Sequence, residues 1–564
     1  MKALSKLLLL LLAAALLLTG CKTPIRTDES PTPVPDDYTP APTATPEPTA
    51  VPGEFVVSGE AYKAAAIPND NNRVFYEIFT GSFSDSNGDG IGDLRGIINR
   101  MDYLNDGDPD SGKSLGIEGI WLTPIFDSPS YHKYDVADFY TVDPAFGTTE
   151  DLVELVELCH ARGVKLILDL PINHTSRRNQ WFTTFLKAHR QGDTDSDYYD
   201  FYTWYDGDTD RAPAGRSFAQ LSGTNHYYEC NFDGGMPELN FDNELVREAV
   251  LAVAKYYLGL GVDGFRFDAA KYLYFGDHDS NQDFWIWYID ELKVINPDLY
   301  TVAEVWDGDG VTERYYPAMN CFNFTMADKG GLIAEIANRG NVNRYTAYVE
   351  SYLNKVQTLR EDATIVPFIA NHDTDRAAGY VTVATGSMQM AANLYLLGPG
   401  SPFIYYGEEL GMRGSRGSAN TDANRRLAMV WGDEDTIQDP EGTTYQKKNQ
   451  ISTTAVEQMR TETSLFTYYK KLLMIRRANP EIARGTYEAL KADASDLGGF
   501  LATYNGSTVL VFHNASMSAK TVDLSTRTDR VIKELRAVIG QEDATLTGTR
   551  LVIGAQTSVV IGCE

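Results

Sequence analysis

Residues 264–271 read Gly264-Phe265-Arg266-Phe267-Asp268-Ala269-Ala270-Lys271, an apolar strand pattern that ends in charge. Because side chains two apart on a strand face the same side, Arg266 and Asp268 should point together while the two phenylalanines face the opposite way. A guanidinium beside a carboxylate keeps it ionised, which a carboxylate nucleophile requires. The same spacing fits a buried structural ion pair, so spacing alone leaves both interpretations open.

Short apolar runs of the same kind recur on both sides of this stretch and alternate with amphipathic helical patterns. We predict strands at 74–79, 119–122, 164–170, 264–268, 300–305, 322–325, 365–370 and 403–406. Eight strands alternating with helices predict an α/β fold, a (β/α)8 TIM barrel. A long Tyr-rich connection, 174–238, predicts an inserted B subdomain after strand 3. Beyond a helical pattern at 464–478, β-type alternation predicts a C-terminal antiparallel β-sandwich domain.

These patterns divide the chain into six segments. We expect a lipoprotein signal peptide at 1–20, a lipidated cysteine and Pro/Thr-rich linker at 21–54, and the barrel domain in two parts at 69–173 and 239–480. The inserted domain at 174–238 separates the two parts, and the C-terminal β domain covers 481–564.

Composition excludes several classes of protein. With 564 residues, of which 43 % are apolar, the chain is long and hydrophobic enough to form large cores. A formal net charge of −29 disfavours binding to nucleic acid. The five cysteines form no C-x-x-C motif, which argues against a structural zinc site.

The N-terminus predicts export and anchoring. Two lysines precede an apolar run at 7–18, which is too short to span a bilayer that needs about 20 residues. The junction Leu18-Thr19-Gly20-Cys21 resembles a bacterial lipobox, so we expect lipidation of Cys21 and a cell-surface or periplasm-facing lipoprotein. The alternative is an ordinary signal with a cysteine beside its cleavage site. The Pro-rich linker would be an extended spacer.

Two further acidic groups follow predicted strands. Glu304 ends an apolar run and precedes Trp306, and we expect partial desolvation beside this indole to raise its pKa so that it can act as general acid and base. His372-Asp373 follows another run and fits hydroxyl binding, although alone it could equally be a loop cap. Barrel enzymes place catalytic groups at the C-terminal ends of strands, so the three acids together favour catalysis.

In this order, the motif blocks resemble the α-amylase family of glycoside hydrolases, family 13. The blocks are Asp169-Leu170-Pro171-Ile172-Asn173-His174, then Met236-Pro237-Glu238-Leu239-Asn240, then residues 264–271, then Ala303-Glu304-Val305-Trp306, and finally Asn371-His372-Asp373. The resemblance implies that Asp268 is the nucleophile, Glu304 the acid/base, and Asp373 the stabiliser of the transition state. It also implies sugar binding by other residues of these blocks and nearby: His132, Tyr134, His174, Arg266, Lys271, His372 and Arg376.

The resemblance has departures that bear on substrate choice. Tyr272 stands where many α-amylases have a histidine that contacts the aglycone side. The block around Glu238 is intermediate in sequence between two forms known in the family: Gln-Pro-Asp-Leu-Asn, typical of oligo-1,6-glucosidases, and Met-Pro-Lys-Leu-Asn, typical of neopullulanases. Asn173 matches a calcium ligand of many α-amylases, but the remaining ligands of such a site are not identifiable.

The loop Asp85-Ser86-Asn87-Gly88-Asp89-Gly90-Ile91-Gly92-Asp93 predicts a structural calcium site. Its oxygen donors recur at every second residue, with the Ile91 carbonyl at the seventh position. The predicted ligands are Asp85, Asn87, Asp89, Ile91 and Asp93. The twelfth position is Gly96 rather than glutamate, so a full EF-hand is excluded, and a solvated Asp/Gly turn is the alternative.

We expect a monomeric, lipid-anchored retaining hydrolase that cleaves internal α-1,4 links of starch and maltooligosaccharides through a covalent β-glycosyl-aspartate. An α-glucosidase, a neopullulanase-like enzyme or a 4-α-glucanotransferase of the same family remains open. Alternatives from other classes are a non-catalytic starch-binding lipoprotein and a periplasmic-type solute receptor.

Overall fold

A computed structural model describes residues 55–58, 70–109, 111–381 and 386–564. The predicted signal peptide, Cys21 and the linker at 21–54 lie outside the described residues, so they remain expectations. Among the residues that are described, no helix combines the length and the apolar character that crossing a bilayer requires.

Seven parallel strands form the barrel wall in the spatial order 6-5-4-3-2-1-8. In chain order they are Phe75–Ile78, Gly119–Leu122, Lys165–Leu170, Gly264–Phe267, Tyr300–Ala303, Asn320–Cys321 and Phe403–Tyr405. The (β/α)8 fold is therefore confirmed, and strands 1 to 5 and 8 lie within the predicted ranges.

Strands 6 and 7 differ from the prediction. Strand 6 ends at Cys321 rather than at residue 325, and strand 7 is reduced to a single parallel bridge between Phe322 and Val366. Pro367 follows Val366 and has no N–H to donate to a ladder, which explains why a regular strand does not form. The wall still closes there, because the Phe403 N–H donates to the Pro367 carbonyl at 3.0 Å.

Helices follow the strands on the outside of the wall. The longer ones are Thr149–Ala161, Glu244–Gly259, His278–Lys293, Leu332–Arg339, Val342–Leu359, Ser387–Leu396 and Leu465–Ala478. The last begins after Ser464, whose side chain accepts the Thr467 N–H, in agreement with the helical pattern predicted there. The barrel lumen is filled by buried apolar side chains, with Trp121, Tyr300 and Phe403 among them.

The connection after strand 3 forms the inserted domain. It carries the helix Gln180–Gln191 and a small antiparallel sheet of Trp204–Tyr205, Phe218–Gln220 and Tyr227–Glu229. An antiparallel bridge between His174 and Glu238 joins its two ends, so the insertion leaves and re-enters the barrel rim at adjacent points.

The C-terminal domain consists of two antiparallel sheets that share a hydrophobic core. The smaller sheet contains Lys520–Asp523, Ala544–Thr547 and Arg550–Ile553. The larger contains Thr486–Lys491, Leu497–Tyr504, Ser507–Asn514, Ile532–Gly540 and Thr557–Cys563. The sixth strand of the larger sheet was not predicted: it is Val56–Ser58, which pairs with residues 538–540.

Candidate active site

Arg266 organises the rim of the barrel. Strand alternation places Phe267 outward against Trp285, with ring centroids 4.7 Å apart, while Arg266 points inward and is wholly buried. Its Nη1 donates to Asp268 Oδ1 at 2.6 Å and to Asp169 Oδ1 at 2.7 Å. The positive charge thus lies directly against the predicted nucleophile.

Glu304 follows strand 5 and meets the same guanidinium. Its Oε1 lies 3.6 Å from Arg266 Nη2, and its Oε2 accepts the Ala269 N–H at 2.8 Å. Burial raises the pKa of Glu304 to about 7, against the opposing effect of Arg266. Desolvation of Glu304 was expected from its neighbour Trp306. Trp306 is instead 46 % exposed and stacks on Phe324, with ring centroids 5.0 Å apart, so the desolvation of Glu304 comes from the burial of the rim as a whole.

Ala269 adopts a backbone conformation that is unusual for a residue with a Cβ. Its φ is +50°, in the left-handed region. This turn immediately follows Asp268 and directs the Ala269 N–H at Glu304. Local backbone strain therefore links the positions of the two predicted catalytic carboxyls.

Asp373 and His372 form an ion pair at the end of the irregular strand 7. His372 Nε2 lies 3.0 Å from Asp373 Oδ2, and His372 Nδ1 lies 2.6 Å from Glu77 Oε1. Burial alone would lower the pKa of His372, but the two carboxylates raise it to about 10, so the imidazole is charged at neutral pH. Burial likewise opposes ionisation of Asp373, yet His372 and Arg426 hold its pKa well below the usual range.

Tyr134 connects these two groups of residues. It lies on the loop between Phe126–Asp127 and Asp138–Val142, and its ring stacks on His372 with centroids 5.5 Å apart. The Tyr134 hydroxyl lies 2.7 Å from His372 Nε2 and donates to Asp169 Oδ2 at 2.8 Å. The strand 7 residues are thereby tied to Asp169 and, through it, to Arg266.

Two neutral imidazoles complete this part of the rim. Burial and the nearby Arg426 lower the pKa of His132 to about 4, and its Nδ1 accepts the Tyr134 N–H at 3.2 Å. Burial also lowers the pKa of His174. Its Nε2 is buried and has no hydrogen-bond partner among the described residues, which suits it to a sugar hydroxyl.

Lys271 and Arg376, unlike the other predicted binding residues, use their side chains to donate to backbone carbonyls. Lys271 Nζ donates to the Trp306 carbonyl at 2.7 Å, so it links the loops after strands 4 and 5. Arg376 is only 2 % exposed and donates to the backbone carbonyls of Tyr406 and Arg425. The structure therefore gives Arg376 buried contacts with backbone carbonyls, and its predicted substrate contact stays a prediction.

Arg426 is the arginine that reaches the site. Its Nη2 donates to Asp373 Oδ1 at 2.7 Å and its Nε to the His372 carbonyl at 3.1 Å. Arg426 was not predicted as a site residue, because it lies in an irregular loop without a strand pattern. Glu77 and Asp169 were also not assigned, although each is a lone carboxylate within an apolar strand, which is the signal that identified Asp268.

The predicted calcium loop wraps as its spacing implies. Asn87 N, Asp89 N and Ile91 N each donate to the side-chain oxygen two residues earlier, at 2.8 to 3.0 Å. Partial burial opposes ionisation of Asp85, but hydrogen bonds from Thr436 and loop N–H groups lower its pKa. The donor types fit Ca²⁺. In the described ranges no three carboxylate, imidazole or thiol groups are gathered closely enough to hold a metal ion.

The C-terminal rim of the barrel brings together three acidic groups: an aspartate paired with an arginine, a glutamate with a pKa near neutrality, and a second, ionised aspartate. This set of groups suits the cleavage or transfer of a glycosidic bond. Comparison with known proteins agrees. Residues 77–485 match the family model described as alpha amylase, catalytic domain.

Relatives and solved structures extend this match. Alpha-amylase 3 of Dictyoglomus thermophilum is 33 % identical over 500 residues, covering 87 % of this chain and 93 % of that protein. The 4-alpha-glucanotransferase of Thermotoga neapolitana is 30 % identical over 78 % of this chain and 96 % of its own length. The structure of Eubacterium rectale Amy13B superposes with a TM-score of 0.81 at 32 % identity, over 89 % of this chain and 98 % of that one. The chain belongs to the α-amylase family, glycoside hydrolase family 13, and is a glucan-active hydrolase or transferase.

Proposed function

We propose that the protein is a retaining hydrolase that cleaves internal α-1,4-glucosidic bonds of starch and maltooligosaccharides. The observation that carries the proposal is the contact of one buried guanidinium, Arg266, with both Asp268 and Glu304. The shared guanidinium brings the two carboxyls to the same part of the rim, and the pKa of Glu304, raised by burial to about 7, lets that carboxyl hold a proton near neutral pH. That pairing is what a double displacement needs.

In the first step, Asp268 attacks the anomeric carbon and the C1–O bond breaks. Glu304 gives its proton to the departing oxygen, which leaves as the free 4-hydroxyl of the released chain, and a β-glycosyl ester of Asp268 remains. In the second step, the Glu304 carboxylate takes a proton from water, the water oxygen attacks C1, and Asp268 leaves as a carboxylate. Asp373, ionised beside His372, would hold hydroxyls of the ring as positive charge develops on it.

The test is Asp268→Asn, which keeps the shape of the side chain and removes its charge. We expect the release of reducing sugar from soluble starch to fall by roughly 10³-fold or more, because the amide cannot form the glycosyl ester. The matched control is Asp290→Asn, an exposed change on the helix His278–Lys293. Retained activity in Asp268→Asn would remove this residue from the nucleophile role, and release of the β-anomer by the wild type would exclude retention.

A 4-α-glucanotransferase is the second candidate, favoured by the relative of that name. Product chromatography from maltoheptaose separates the two candidates. Shorter oligomers alone support hydrolysis, and oligomers longer than the substrate support transfer. The same assay on pullulan and isomaltooligosaccharides tests the neopullulanase-like and α-glucosidase alternatives, the latter suggested by a relative named oligo-1,6-glucosidase from Heyndrickxia coagulans, which is 29 % identical.

Binding without catalysis, as a surface starch-binding lipoprotein, is the alternative of another class. It predicts starch binding that is equal in the wild type and Asp268→Asn, with no sugar released by either.

We also propose a lipid anchor at Cys21, a surface or periplasm-facing location and a structural Ca²⁺ held by Asp85, Asn87, Asp89, the Ile91 carbonyl and Asp93. The anchor is supported by the lipobox-like Leu18-Thr19-Gly20-Cys21, and the calcium by the donor order of the loop. Cys21→Ser should move the protein from the membrane fraction to the soluble fraction.

A further inference from the structure

Phe232 is a large apolar side chain that stays exposed beside the candidate active site. It is 46 % exposed, and its ring contacts two others at the rim. Its centroid lies 5.2 Å from the His174 ring and 5.1 Å from the Tyr272 ring, to which it is nearly perpendicular. An exposed ring held by neighbouring rings offers a flat apolar face, and pyranose rings bind to such faces.

The position of Phe232 around the rim assigns it to one side of the cleft. Asp373 and His372 follow strand 7, Arg426 follows strand 8, and Tyr134 follows strand 2, so these groups occupy one side. Phe232 lies on the opposite side, between His174, which follows strand 3, and the loop after strand 4.

That loop leads on to the proposed acid. Lys271 lies over the ring of Tyr272 at 5.4 Å and donates to the carbonyl of Trp306, two residues beyond Glu304. Glu304 protonates the departing oxygen in the proposed function, so this chain of contacts through Tyr272 and Lys271 connects Phe232 with the side of the cleft that holds the departing or accepting sugar.

The backbone that carries Phe232 is fixed by a buried pair of carboxyl groups. Asn231 N donates to Glu238 Oε1 at 2.9 Å, and Asn231 Nδ2 donates to Glu238 Oε2 at 2.8 Å and to Glu229 Oε1 at 2.6 Å. Glu229 and Glu238 are 1 % and 3 % exposed, and Arg216 pairs with Glu229. Asn231 therefore bridges two side chains that have few other conformations available.

We propose that Phe232 is the sugar-stacking residue on the acceptor side of the cleft and that Asn231, held between Glu229 and Glu238, positions it. This inference rests on the proposed function and adds a substrate contact that determines how a second sugar is held. It also gives the block Met236-Pro237-Glu238-Leu239-Asn240 a physical role, since its acidic residue supports the loop that carries the stacking ring.

Two substitutions, at Glu238 and at Asn231, weaken the bridge between these residues to different degrees. The protonation state of Glu238 decides what the first of them changes. Burial and the neighbouring Glu229 raise the pKa of Glu238 to about 8, so this carboxyl is largely protonated at neutral pH. Glutamine has nearly the same shape and is neutral. Its amide oxygen can still accept the Asn231 backbone N–H, but its amide nitrogen cannot accept from Asn231 Nδ2, so Glu238→Gln keeps one of the two bonds to Asn231. Asn231→Ala removes the donor that joins the two carboxyls and should release the loop.

The experiment compares two donors. Maltoheptaose places sugars on both sides of the cleaved bond, whereas the leaving group of α-maltosyl fluoride is a single atom that does not reach Phe232. We expect Phe232→Ala to raise KM for maltoheptaose by roughly five- to tenfold, from the loss of one stacking contact, with the kcat/KM for α-maltosyl fluoride unchanged. Tyr140→Ala is the matched control, because Tyr140 is 42 % exposed and contacts Tyr256 on the outside of the barrel.

The positioning role has its own readout. Asn231→Ala should reproduce the KM increase, Glu238→Gln should fall between the wild type and Asn231→Ala because it loses one bond of the bridge, and Asn231→Ala combined with Phe232→Ala should be no worse than Phe232→Ala alone. Additive effects of the two substitutions would overturn the positioning role. Equal losses on both donors, or no loss on maltoheptaose, would overturn the stacking role. A wild type inactive on both donors would overturn the proposed function as well, whereas an active wild type with an unaffected Phe232→Ala would overturn this inference alone.

Discussion

Replacing Glu304 by glutamine should stabilise the protein above neutral pH while inactivating it. In the folded protein this carboxyl keeps its proton up to a pKa of about 7, compared with an ordinary value of 4.5. Below pH 4.5 the Glu304 carboxyl is protonated in both the folded and the unfolded state, so it does not lower the free energy of unfolding. As pH rises through this interval the unfolded chain ionises first, so stability is lost, and the full cost is reached above pH 7.

The magnitude follows from the difference between the two pKa values. About 2.5 pH units at 1.36 kcal/mol per unit amount to roughly 3 kcal/mol of unfolding free energy. Glutamine is neutral at every pH, and its amide oxygen can still accept the Ala269 N–H. We therefore expect Glu304→Gln to be roughly 3 kcal/mol more stable than the wild type at pH 8 and equal to it at pH 4. For a folded region of several hundred residues this corresponds to a Tm higher by about 3 °C.

The assay is denaturant and thermal unfolding of both proteins across pH 4 to 8. The control is Glu462→Gln, because the Glu462 side chain is 90 % exposed and its loss changes net charge equally. A Glu304→Gln protein that is less stable than the wild type at pH 8, or a difference that does not grow with pH, would refute the assignment of Glu304 as a desolvated acid.

Three further predictions follow from individual contacts. Arg426→Met should lower kcat/KM on maltoheptaose by roughly 10²-fold or more, since it removes the guanidinium that pairs with Asp373 at 2.7 Å and leaves that pairing to His372; the control is Arg416→Met, 44 % exposed, and a loss under fivefold would contradict the role of Arg426. Ala269→Val should lower the free energy of unfolding by about 1–2 kcal/mol, because a β-branched residue is strained at φ +50°, whereas Ala269→Gly should not. Equal unfolding midpoints for the valine variant and the wild type would argue against that strain. A calcium chelator should lower the Tm of the wild type but not that of Asp85→Ala. A wild-type Tm that does not change when the chelator is added would exclude the proposed calcium site.

Much of the barrel could be predicted because its strands are buried and short. Short, mainly apolar runs identify strands 1 to 5 and 8 within a residue or two at most ends. Strand 7 was predicted at 365–370 but is only a single bridge, and the cause is local. Pro367 fits the apolar pattern of a strand but has no N–H to donate to a neighbouring strand. Strand 6 was displaced because the apolar residues at 322–325 continue past the point where pairing stops.

The catalytic acids were predictable where a charged residue lies within an apolar strand or directly after one. Asp268 and Glu304 stand out by this rule, and Asp169 and Glu77 could have been found with it. Arg426 could not, because its contact with Asp373 joins two irregular loops across 53 positions of sequence. The raised pKa of Glu304 was expected, but its cause depends on tertiary burial that a neighbouring Trp306 does not reveal.

The strand Val56–Ser58 has a consequence for how the chain matures. Its hydrogen-bonding partner, Val538–Gly540, lies about 480 residues later, so this strand, the first in the described part of the chain, stays unpaired until nearly the whole polypeptide has been synthesised. The barrel can assemble in the meantime, but the larger C-terminal sheet reaches six strands only when residues 56–58 pair with Val538–Gly540. Shortening the protein from its carboxyl end should therefore leave an unpaired, aggregation-prone β-segment at the opposite terminus.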